Sequence, residues 1–162
     1  MSATTTRVAD YAARFEAANG EVIALIRGCT DEQFQQPCVN EERPVGVVAH
    51  HVALVNGAFA RIVEKLAAGE IYSPTMSWAE IDRGNAQHAR DHAAVGKQET
   101  LDALRANGDA VAQGLRSLRD DQLERVAGTF GDRELTVAQV VEYVVIGHTA
   151  EHLASIRATL TV

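Results

Sequence analysis

His148 and His152 stand four residues apart in GHTAEHLASIR, and His51 lies far upstream in VVAHHVALV. On a helix, a spacing of four puts two imidazoles on one face, one turn apart. That is the reach needed to chelate one divalent cation, and an imidazole from a distant helix completes a three-histidine site. Structural zinc sites are usually closed by four protein ligands, so three ligands with open positions suit catalysis better. Three neutral imidazoles leave the ion its full double charge, which lowers the pKa of a bound water or thiol. Two chemistries follow. A low-molecular-weight thiol bound as thiolate attacks an electrophile, or activated water hydrolyses an amide or ester. The second needs a nearby general acid or base. Glu151 points about 100° away from its neighbour His152. Glu151 and Glu142 are the candidate carboxylates for the outer ring nitrogens. A metal-binding stress or interaction module without turnover is the third reading.

The remaining polar candidates read more plainly. His88 and His92 are also four apart, but NAQHARDH is polar, so the expectation is a solvated face. His50 adjoins His51 and points about 100° around the helix, which makes it the weaker ligand. Cys29 and Cys38 form no CxxC motif and neighbour no base, so both are expected to be inert, in a reduced compartment. Tyr72 and Trp78 either line a pocket mouth or anchor a helix. Ala49, Ala53, Gly147 and Ala150 leave space near the histidines, and close helix packing wants the same residues.

These side chains must be positioned by helices. Apolar residues recur at three and four almost throughout. The first helix is expected from Thr6 to Ile26, with Gly28 as its stop. A connection follows, with a short turn over Thr30–Phe34. Pro44 suits the start of a second helix that ends near Gly69. Its inward stripe reads Val47, His51, Leu54, Ala58 and Ile62. Ser77 and Glu80 form a capping box that starts a polar helix, placed over the open end of the bundle. Another helix spans Lys97 to Leu118. A hairpin is expected around Gly131-Asp132, and a second capping box, Thr136 with Gln139, opens the last helix. That helix runs to about Thr159, with Val137, Val141, Val144, His148, His152 and Ile156 inward. Four long helices make an all-α, four-helix bundle the expected fold, as a single domain over residues 1–162. With the second helix packed on the last, the three inward histidines converge. Imidazole on an apolar stripe costs desolvation unless its nitrogens find partners, and a metal satisfies one nitrogen of each ring.

The bulk numbers restrict the partners. With 162 residues and 46% hydrophobic composition, the chain is long enough for a real core. A formal net charge of −7 argues against nucleic acid and anionic membranes as partners. No apolar leader opens MSATTTRVADYAARF, and no run of about 18 apolar residues occurs, so a cytoplasmic protein acting on a small molecule is expected.

At PVGVVAHHVALVNGAF and GHTAEHLASIR the chain resembles the DinB-like superfamily, which includes the bacillithiol transferases and the N-terminal domain of mycothiol-dependent maleylpyruvate isomerase. The resemblance covers nearly the whole chain. His51, His148 and His152 stand at the family's ligand positions, and Asn85 resembles an asparagine common near the start of its third-helix region. The resemblance implies a bundle of four helices holding one divalent metal ion, zinc or nickel, and a homodimer. It favours thiol chemistry, either S-transfer or thiol-dependent isomerisation. Two departures stand out. Ser155 replaces a frequent Gln after the last ligand. His148 stands where the maleylpyruvate isomerases look as if they use Glu, which places the chain nearer the all-histidine branch.

Overall fold

A computed structural model describes residues 6–74, 76–130 and 132–161. The expected domain of residues 1–162 therefore includes ends outside the described residues, as do part of the segment read for a leader and Gly131 of the expected turn. Helix α1 spans Arg7–Gly28 and α2 Asp31–Gln35. Helix α3 covers Val45–Ala67, α4 Trp78–Asp91 and α5 Lys97–Ser117. A 3₁₀ turn, Asp120–Gln122, leads to the antiparallel strands β1 (Val126–Phe130) and β2 (Arg133–Thr136). One turn of helix, α6 (Val137–Gln139), runs into a π-helical stretch, Val140–Ile146, and on into α7, Gly147–Leu160.

Helix starts follow local chemistry. Thr6 accepts from the Ala9 amide, and reciprocal capping boxes join Thr30 with Gln33, Ser77 with Glu80 and Thr136 with Gln139. Each satisfies amides that the first helical turn leaves unpaired.

The four long helices form the expected bundle. Helix α1 packs on α5 and the last helix, α3 packs on the same two, and α1 faces α3 mainly across the diagonal. Two apolar clusters give the directions. Val8, Leu66, Leu115 and Val137 belong to one, and Ile26, Val45, Leu101 and Ile156 to the other. So α1 and the last helix run one way, and α3 and α5 run the other. Between the clusters a polar chain crosses all four helices. Asn56 donates to Asn19 (3.1 Å), Asn19 to the Leu104 carbonyl (3.2 Å) and Thr149 to Asn56 (3.4 Å). All three polar side chains are buried, so their mutual bonding offsets their desolvation. Among the described residues, α3 alone is long and apolar enough to cross a membrane, and most of it is buried in the bundle.

Two expected helix faces are rotated. Leu54 is 45% exposed, while Val48, Val52, Asn56, Phe59 and Val63 are buried on α3. In the last helix Val137, Val141, Val145, Thr149 and Leu153 are buried at a constant spacing of four. In an α-helix that spacing drifts about 40° per step. The wider π turns absorb the drift and keep one face inward.

Candidate metal centre

The centre is built from the N-terminal half of α3, the first two turns of α7 and the loop before α3. His51 is buried on α3, and its Nε2 lies 3.1 Å from His148 Nε2 on α7. His152 stands one turn on, with ring centroids 4.5 Å from His148 and 5.1 Å from His51. One ligand-capable nitrogen from each ring falls within 4.8 Å of the other two. Phe59 closes one side, edge-on to His148 at 5.4 Å.

Desolvation, reinforced by the neighbouring imidazoles, pushes both His51 and His148 down to about 3. Both rings are therefore neutral near pH 7, the form that binds a metal. His148 Nδ1 is buried with no hydrogen-bond partner among the described residues. Two neutral rings at 3.1 Å can share only one proton, so the cluster carries more acceptor capacity than its own atoms use.

His152 is held from behind. Its Nδ1 donates to Glu41 Oε1 at 2.7 Å, which leaves Nε2 for the site. Arg43 Nη2 donates to Glu41 Oε2 at 2.6 Å. Burial pushes Glu41 upward, but the bonds from His152 and Arg43 outweigh it and hold the carboxyl at about 2. Arg43 Nη1 is buried with no partner among the described residues.

Backbone geometry presents Glu41 to the centre. The loop is closed by a bridge between Pro37 and Pro44 and by the Cys38 amide bonding to the Arg43 carbonyl at 2.8 Å. The neighbours of Glu41 on both sides, Asn40 (φ 65°) and Glu42 (φ 54°), adopt left-handed conformations. For a glutamate this is costly, and such strain persists where surrounding structure over-determines it.

The carboxylates expected from sequence lie elsewhere. Glu142 pairs with Arg14, and Glu151 is exposed. Glu41 was missed because it lies in a loop without periodicity, 111 residues from His152. A second expectation is also overturned. His88 and His92 do not form a solvated face. Both are half-buried and meet His50, itself 3% exposed. His50 Nδ1 lies 3.0 Å from His88 Nε2, and the His50 and His92 centroids are 4.3 Å apart. All six histidines thus adjoin, linked by His51 and His88 at 5.4 Å between centroids.

The other residues fall as follows. Cys29 and Cys38 are buried free thiols, and burial raises both. Trp78 is 81% exposed, and Tyr72 lies tilted against Phe130 with ring centroids 5.8 Å apart. Asn85 is half-buried on α4, and Ser155 is buried on α7. Surface clefts lined by Arg7, Tyr11 and Glu142 contain none of the histidines.

A helical bundle with imidazoles gathered between α3 and α7, one of them backed by a carboxylate, defines a class of protein compatible with metal binding. The family model for the DinB superfamily matches residues 14–156, and the chain belongs to that superfamily. Neither a curated protein nor a solved structure matches the chain.

Proposed function

We propose that His51, His148 and His152 hold one divalent cation, zinc or nickel, and that the protein is a metal-dependent enzyme activating a low-molecular-weight thiol for S-transfer or thiol-dependent isomerisation. The observation that carries this is the convergence of three ligand-capable imidazole nitrogens within 4.8 Å, two of them on rings held neutral. When bound, the cation would supply Lewis acidity that makes a coordinated thiol acidic at neutral pH.

This chain's own residues do the rest. Glu41 fixes the His152 tautomer and ring orientation. Arg43 holds Glu41 ionised. Phe59 shields one side from water. The position of Glu41 favours thiol chemistry over hydrolysis. Hydrolysis needs a base that accepts a proton near neutral pH. Glu41 is held at about 2 and engaged on both oxygens, so it is a poor proton acceptor.

The test is elemental analysis of untagged protein beside His51→Ala and His148→Ala. The expectation is stoichiometric zinc or nickel in wild type, with the equivalent at this site missing in both variants. Loaded protein would then be screened with small thiols and electrophiles. A wild type that retains no metal after reconstitution would sink the reading.

A further inference from the structure

We propose that His50, His88 and His92 form a second divalent-cation site, beside the first and joining α4 to α3. One ligand-capable nitrogen from each of these rings lies within 4.8 Å of the other two. This matches the compactness of the first triad, and the two clusters share no residue.

Three features of the cluster call for a cation. First, His50 is 3% exposed on α3, and its polar contact is another imidazole, His88, at 3.0 Å. No carboxylate accepts a hydrogen bond from any of the three rings among the described residues. Second, His88 Nδ1 is buried and unpartnered among the described residues, a donor or acceptor that nothing in the fold uses. Third, α4 lacks the means to hold itself. It contains no fully buried residue, and its main partner is α3. A helix with so little apolar burial gains little from packing. His88 and His92, one turn apart, both meet His50 on α3, with ring centroids at 5.2 and 4.3 Å.

The surroundings also fit. Desolvation and the neighbouring imidazoles lower both His50 and His88, the latter to about 4. Asp91 and Glu99 add a negative field at this end, while Arg43 opposes it at His88. Imidazole-only donors suit zinc, nickel and copper over magnesium or calcium. With the first site adjacent, repulsion between two dications makes the second equivalent bind more weakly than the first.

The experiment titrates metal-free, untagged full-length protein with Co²⁺, followed by visible absorption, and with Zn²⁺ by calorimetry. Wild type should take two equivalents in two phases. His88→Gln/His92→Gln, changed on a half-buried helix outside the core, should take one and keep the tighter phase. His51→Ala should lose the tighter phase and keep the other. Hydrogen exchange on wild type supplies a second readout free of any substitution. The second equivalent should slow exchange in residues 78–91, and the first should not. One equivalent in wild type, unchanged in the His88/His92 variant, overturns the second site and leaves the first standing. One equivalent abolished in every variant means a single shared ion, and also overturns it. Two equivalents with no slowing of α4 exchange would overturn the bridge. Loss confined to the His88/His92 variant, with His51→Ala unaffected, would instead remove the reading of the first site.

Discussion

Glu41 is the residue on which the electrostatics of the first site turn. It joins a cationic Arg43 to an imidazole whose other nitrogen faces His51 and His148. Partners of this kind typically change metal affinity by roughly 10–100-fold. Glu41→Gln should therefore weaken binding at the first site by about one to two orders of magnitude in a chelator competition, while stoichiometry stays the same. An unchanged affinity would reduce Glu41 to a loop anchor. At this scale the sequence was uneven in what it disclosed. His51, His148 and His152 were legible because imidazole on an apolar stripe demands an explanation. His50 was harder, since its neighbour already filled the inward position and a 100° rotation made it the weaker ligand for the same ion. Helix α4 covers that second direction, so a histidine that would be wet on a bare bundle is buried. Glu41 gave no signal, because its role depends on two left-handed residues in an aperiodic loop.

Among the helices, capping was the most readable feature. Ser77 with Glu80 and Thr136 with Gln139 mark helix starts from side chains that act within one turn. The π stretch was not readable as such, although its trace was present in the valines. Val137, Val141 and Val145 keep to a spacing of four, which fits an α-helix only approximately. Close approaches between helices were hidden as well, because glycine records a neighbour only by what is missing. A Cβ on Gly108 would sit 2.1 Å from Asn19 Nδ2, in the polar chain that crosses the bundle. Gly108→Ala should therefore push Asn19 off the Leu104 carbonyl and cost about 1–3 kcal/mol in denaturant unfolding. A Cβ on Gly20 meets nothing within 4 Å, and Gly20 lies within α1. Gly20→Ala should stabilise by about 0.5–1 kcal/mol, since alanine has better helix propensity and a less flexible unfolded state. If both substitutions shift stability the same way, packing against Asn19 does not control the α1–α5 interface.

For the molecule as a whole, the first triad lies where separate parts of the fold must stay in register. Helix α3 carries His51, and α7, which runs opposite to it, carries His148 and His152. The loop before α3 carries Glu41. An ion at this point cross-links segments far apart in sequence, and the unfolded chain cannot reproduce the site. Binding free energy then adds to folding free energy. At a metal concentration of about 1,000 times Kd the gain is about 4 kcal/mol. For a chain of this size each kcal/mol moves Tm by roughly 2–4 °C. Chelation of the loaded protein should therefore lower Tm by about 10 °C, and restoring zinc or nickel should recover it. The same treatment of His51→Ala, which has lost the bridge, should produce a much smaller shift. This comparison separates a bridging ion from general effects of the chelator, which act on both proteins alike. Equal shifts in the two proteins, or no shift after verified removal of metal, would mean that α3 and α7 are held by apolar packing and the Asn56–Thr149 contact alone.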